Sequence, residues 1–175
     1  GRYQPYSDEA LLQLLGAMKQ HVPAYVRIER VIRDIPSAAI EAGSRITNLR
    51  EAVLRQMRER GLRCKCIRCR QLRKPSQSAF QLVRRDYEAG EGREVFLSFE
   101  DPKSDQLASL LRLRLPAHAL NGTTHWLAEL NGAAIIRELH TYGPHVPLAK
   151  REEGAAQHQG LGERLMQRAE TITLK

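Results

Sequence analysis

All three cysteines of this 175-residue chain fall within eight residues, Arg63-Cys64-Lys65-Cys66-Ile67-Arg68-Cys69-Arg70. Thiols at positions i, i+2 and i+5 converge on one point when the backbone turns a tight knuckle. Zn²⁺ is held in that way, by thiolates about 2.3 Å from the metal at the corners of a tetrahedron. The fourth corner needs a His, a carboxylate or a donor from elsewhere, because there is no fourth cysteine. The competing reading is three reduced thiols that merely lie close together. A basic, polar loop offers such thiols no apolar core to pack into, which favours the metal. An odd, clustered set of cysteines also argues against a disulfide framework and for a reducing compartment, the cytoplasm.

The knuckle lies in a one-sided block of charge. Residues 27–74 carry fourteen Lys/Arg against five Asp/Glu, a local excess of +9, while the rest of the chain carries fourteen against fifteen. A solvated helix face mixes its signs, so the block reads as a surface for a polyanion, with affinity that falls as salt rises. Its candidate contacts are Arg27, Arg30, Arg33, Arg45, Arg50, Arg63, Lys65, Arg68 and Arg70. An acidic protein partner or a plain soluble face would use the same charges.

Around the block the pattern is mixed, an α/β (α+β) chain. Ser7-Asp8-Glu9 predicts a capped helix whose apolar face is Leu11, Leu12, Leu14, Leu15 and Met18, ending near Pro23. Tyr25 to Ile32 alternates apolar and charged residues, the period of a strand. Leu49 to about Glu59 predicts a second helix burying Leu49, Val53 and Met57, with Arg50, Arg55 and Arg58 pointing elsewhere and Gly61 as its C-cap. Lys74 to Ser78 is polar and aperiodic and reads as a boundary.

Beyond it come short alternating runs: 81–88, 94–100 through Val95, Leu97 and Phe99, 107–115 with Leu111, Leu113 and Leu115 inward, and 133–142. Trp126 to Leu130 is a short segment or a loop, and Asn121-Gly122-Thr123 a turn. Gln157-His158-Gln159-Gly160-Leu161-Gly162 then feeds a helix carrying Leu161, Leu165, Met166 and Ala169. A glycine-bearing loop that opens a helix after a strand cradles phosphate on free backbone N–H groups. Gln-x-x-Gly-x-Gly has the spacing of an acetyl-CoA pyrophosphate loop; an ordinary helix start is the alternative. No apolar run is long enough to span a membrane, and no signal-peptide pattern is present.

The Cys knuckle, Glu138-Leu139-His140 with Tyr142-Gly143, and Gln157 to Gly162 occur together with Arg30-Val31-Ile32-Arg33-Asp34-Ile35-Pro36 and Thr47-Asn48-Leu49-Arg50. This set closely resembles the catalytic subunit of the Elongator complex, in a bacterial or archaeal stand-alone form, over nearly the whole chain. The resemblance implies the C-terminal end of a radical-SAM domain at 1–74, followed at 75–175 by a GNAT acetyltransferase domain incomplete at its C-terminus. It further implies tRNA modification. Acetyl-CoA supplies an acetyl group, a radical made from S-adenosylmethionine activates it, and the wobble uridine becomes 5-carboxymethyluridine.

By the same resemblance Cys64, Cys66 and Cys69 hold zinc, and the basic block takes the tRNA backbone. Glu138, Leu139 and His140 run beside the pantetheine arm, and Gln157, His158, Gln159, Gly160, Leu161 and Gly162 hold the pyrophosphate. Glu138 and His140 are candidates for proton transfer, with an ordinary packed strand residue as the alternative for each. Gln71 stands where the family has Glu, and Thr141 where it has Val. The cysteine triplet for a [4Fe–4S] cluster is missing, so a fragment inactive by itself is expected. Homodimers or Elongator-like partners are left open. A protein-lysine acetyltransferase and a non-catalytic zinc-stapled RNA-binding module are the alternatives.

Overall fold

The computed structural model describes residues 3–32, 35–74, 76, 78–143, 156 and 159–174. The chain divides into two compact units, Gly1–Cys69 and Arg70–Lys175. The division falls after Cys69, whereas the sequence suggests one after Lys74.

In the first unit, α1 (Asp8–Gln20) starts where Ser7 Oγ accepts the Ala10 N–H at 3.2 Å, with Asp8 and Glu9 in the positive first turn. Its packed residues are Leu11, Leu12 and Leu15. Leu14 and Met18, expected in the core, lie on the outside, Met18 at 58 % exposure. They are one turn apart on a different stripe of the helix from Leu12 and Leu15, and only one stripe can face α2. α2 (Leu49–Glu59) buries Leu49, Val53 and Met57, spaced four apart, as its periodicity requires. It ends in a Schellman motif: the Gly61 N–H reaches Arg58 O at 3.0 Å and the Leu62 N–H reaches Met57 O at 2.8 Å. That geometry needs positive φ at Gly61, which has 69°.

Tyr25 to Ile32 is not a strand. A strand needs a neighbouring ladder, and the described residues of this unit form none. Arginines and one amide take the carbonyls instead. Arg50 donates to Ile28 O at 2.7 Å and Glu29 O at 3.0 Å, Arg68 donates to Glu29 O at 2.6 Å, and the Ile67 N–H donates to Val26 O at 3.0 Å. The alternation survives only as Ile28 and Val31 packing on the core. α3 (Ile67–Arg70) carries Cys69, the last cysteine of the knuckle.

The second unit is an antiparallel meander in the order β1 (Gln81–Ala89), β2 (Gly92–Glu100), β3 (Leu107–Leu115), β4 (Ile135–Thr141). Gly92 closes the β1–β2 hairpin where only glycine fits, since a Cβ there would lie 2.5 Å from Leu115 O. The β3–β4 connection holds α4 (Ala117–Asn121) and a 3₁₀ turn at Ala128–Leu130. Asn121-Gly122-Thr123 is the expected turn, with the Thr123 N–H on Asn121 Oδ1 at 3.2 Å. α5 (Leu161–Thr173) packs against β2, β3 and β4 through Leu161, Leu165 and Ala169, and its Arg164 guanidinium lies 4.4 Å from the Phe99 ring centre. Among the described residues no helix is long and apolar enough to cross a membrane.

β2 is buried on both faces, not one. Opposite Val95, Leu97 and Phe99 lie Glu94, Phe96, Ser98 and Glu100, all buried. Glu100 accepts two bonds from Arg70 at 2.9 and 3.2 Å, two from Arg85 at 2.6 and 2.9 Å, and one from Ser98 Oγ at 2.6 Å. Burial acts to raise the pKa of Glu100, but Arg85, Arg70 and Ser98 outweigh it and hold the carboxyl at about 2.

Candidate functional site

The first unit brings the three cysteines together as their spacing suggests. The Cys69 N–H bonds to Cys66 O at 3.0 Å, turning the knuckle, and the three sulfurs lie within 4.8 Å of one another. Thiolates on a tetrahedral zinc stand about 3.8 Å apart, given Zn–S near 2.3 Å, so the donor set fits that ion. No His, Asp or Glu atom of the described residues joins the group.

One argument for the metal is overturned. Cys64 and Cys66 do have a core, sharing a cluster with Leu49, Val53 and Met57. Convergence of the sulfurs, not lack of packing, supports a shared ligand. The thiols also polarise one another. Hydrogen bonds from Cys64 and then Cys69 push the Cys66 thiol down, against its burial. The bonds to Cys64 and then Cys66, with burial added, push the Cys69 thiol up. A divalent cation binds such thiols as thiolates and displaces their protons, so its affinity rises with pH.

The basic block is only partly a surface. Arg30, Arg45, Arg63 and Lys65 are exposed. Arg27 is half-buried with Glu29 3.9 Å away. Arg50 and Arg68 bond the carbonyls of residues 28 and 29. Arg70 is withdrawn from the polyanion surface: it is 5 % exposed and held by Glu100 and by Asp105 at 3.0 Å. Arg33 lies outside the described residues.

The second unit carries the other candidates. β4 bulges at Arg137, since Glu138 pairs with Arg112 and Ile136 with Leu113. The Glu138 carboxylate accepts from Arg112 Nε at 2.8 Å; Leu139 and His140 are exposed, and the His140 ring centre lies 4.3 Å from that of Tyr142. α5 starts beside the end of β4: a Cβ at Gly162 would lie 3.8 Å from Thr141 Oγ1. Gly160, at φ 65°, forms the N-cap, and the first helical bond is Arg164 N–H to Gly160 O at 3.1 Å. The N–H groups of Leu161, Gly162 and Glu163 therefore have no acceptor within the helix, the condition for an anion cradle. Leu161 itself turns its side chain into the core, and Gln159 is exposed. Gln157 and His158 lie outside the described residues.

The Arg70–Glu100–Arg85 group was not legible as a unit. The one signal for it is Phe96, an apolar residue on what alternation makes the wet face of β2.

The Radical_SAM C-terminal domain family matches residues 1–59. The tRNA uridine(34) acetyltransferase of Dehalococcoides mccartyi is 43 % identical over 98 % of this chain, and Elongator complex protein 3 of Saccharomyces cerevisiae is 41 % identical over 98 %. The chain spans 38 % and 32 % of those proteins. The solved structure of archaeal Methanocaldococcus infernus Elp3 with an N-terminal deletion superposes with a TM-score of 0.83 and 38 % identity, over 99 % of this chain and 42 % of that one. In sequence and fold alike, the chain is similar to one stretch of Elongator complex protein 3 and of tRNA uridine(34) acetyltransferase, about a third of the length of those relatives.

Proposed function

We propose that this chain is part of an enzyme that joins acetyl-CoA to radical chemistry and builds 5-carboxymethyluridine at the tRNA wobble uridine. One observation carries the reading: similarity to a tRNA uridine(34) acetyltransferase extends over 98 % of the chain, so it takes in residues of both units. Cys64, Cys66 and Cys69 hold a zinc ion whose contribution is structural, tying residues 64–69 to the segment at Val26 and Ile28. Exposed Arg30, Arg45, Arg63 and Lys65 take tRNA phosphates. The backbone of Glu138, Leu139 and His140 lies along the pantetheine arm. The amides at the start of α5, with Gln157, His158 and Gln159, bind the pyrophosphate.

Of the two proton-transfer candidates, His140 is open to solvent while Glu138 is already engaged by Arg112. S-adenosylmethionine and the [4Fe–4S] cluster belong to the radical-SAM part, whose cluster ligands are not among these residues. The setting is cytoplasmic, with Elongator-like partners or a second copy of the chain.

Calorimetric titration with acetyl-CoA, repeated on Gly160→Val, tests the second unit. Binding by the parent chain and its loss in the variant are expected; equal binding by both sinks the cradle. Acetyl-CoA hydrolysis that rises with tRNA and not with a lysine peptide separates this reading from a protein acetyltransferase.

A further inference from the structure

The chain's single tryptophan, Trp126, sits in the β3–β4 connection and is 84 % exposed. An exposed indole offers a flat, polarisable face on which another ring can stack. The loop that presents it is held from several sides. The His125 N–H donates to Asn131 Oδ1 at 2.6 Å, the Leu127 N–H donates to His125 Nδ1 at 3.0 Å, and His118 Nε2 lies 3.0 Å from Leu130 O. Behind the indole the His125 ring centre is 5.5 Å away at 30°, and the His118 ring is 4.9 Å from that of His125 at 54°. The three rings are neighbours at tilted angles, with the indole the most exposed part of the loop.

We propose that Trp126 is a stacking platform for an unpaired base of RNA. The proposal rests on the reading of tRNA as substrate and adds a contact that the basic block cannot supply. Residues 117–131 hold one acid, Glu129, and no Lys or Arg, so this loop has no means of gripping phosphate. What it offers is a π-face, which takes any base and needs no hydrogen-bond code. A duplex keeps its bases stacked on one another, so the platform selects single-stranded or looped RNA. The hydrogen bonds around His125 fix the loop backbone that carries the indole, so less loop ordering remains to be done on binding.

Because Trp126 is the only tryptophan, its fluorescence reports on this loop alone. The 175-residue chain is titrated with a short oligouridylate and with a duplex of equal length, and binding is followed in parallel by anisotropy of labelled RNA. Saturable quenching by the single strand, with little by the duplex, is expected. Trp126→Ala should weaken single-strand binding at least about fivefold, the range of one base stack, while Trp126→Phe retains most of it. Should Trp126→Ala fail to fold, quenching in the parent chain and binding by Trp126→Phe decide the matter. RNA that binds without changing the emission overturns the platform and leaves the tRNA reading standing. No RNA binding at all removes that reading and the platform with it. Emission already blue-shifted before RNA is added means that protein covers the indole, which also overturns the proposal.

Discussion

Glu100→Gln tests how the second unit is held together. In the parent chain the carboxylate is 6 % exposed and bonded by Arg70, Arg85 and Ser98. Its pKa is lowered from 4.5 to about 2, so the unfolded chain takes up a proton at a higher pH than the folded one. The stabilisation is therefore complete above pH 4.5 and is lost as the pH falls towards 2. That displacement corresponds to about 3 kcal/mol. A second route gives a similar figure: removing one member of a buried ion pair costs about 3–5 kcal/mol. The lower end applies, because Arg70 keeps Asp105 and Arg85 is partly open to water. For a unit of this size about 3 kcal/mol lowers Tm by roughly 10–20 °C. Thermal unfolding followed by circular dichroism at pH 7 should show that drop, and the gap to the parent chain should narrow between pH 4.5 and 2. A drop below about 3 °C, or a gap indifferent to pH, would refute the reasoning. Replacing Arg70 and Glu100 together by apolar residues should recover part of the loss: no buried charge is then stranded at those two positions, and the partners left over, Arg85 and Asp105, are partly open to water.

The other outcomes are as definite. Metal analysis of the purified chain should find zinc, and Cys66→Ser should lose it and unfold at lower temperature, as should the parent chain after chelation; a metal-free parent chain of full stability would contradict the knuckle. Gly92→Ala should cost about 1–3 kcal/mol in urea unfolding, because the new methyl meets the Leu115 carbonyl at 2.5 Å and backbone cannot yield. Gly160→Ala has open space around its Cβ and should cost only about 1 kcal/mol, from its positive φ. Arg63→Ala with Lys65→Ala should reduce the salt slope of tRNA binding by about 2, whereas Arg70→Ala should lower stability and leave that slope unchanged.

Much of this protein is legible one residue at a time. The α2 stripe of Leu49, Val53 and Met57, its stop at Gly61, the β1–β2 hairpin, the 107–115 strand and the start of α5 all follow from periods of 3.6 or 2 and from the few residues able to cap or turn. Those are local interactions, complete within a dozen residues. The three cysteines are legible for the same reason, since two short spacings suffice to aim the sulfurs at one point. Elsewhere the pattern misled. Tyr25 to Ile32 alternates like a strand, yet its carbonyls are taken by Arg50, Arg68 and the Ile67 amide, partners twenty or more residues away. Arg70 reads as one more cation of the basic block, and only the packing of the second unit turns it inward onto Glu100. Leu14 and Met18 share a helix with the core residues but not their face. Local periodicity sets which elements form. Which face of each is dry, and which charge is spent on structure, depends on long-range neighbours that no single window of sequence contains.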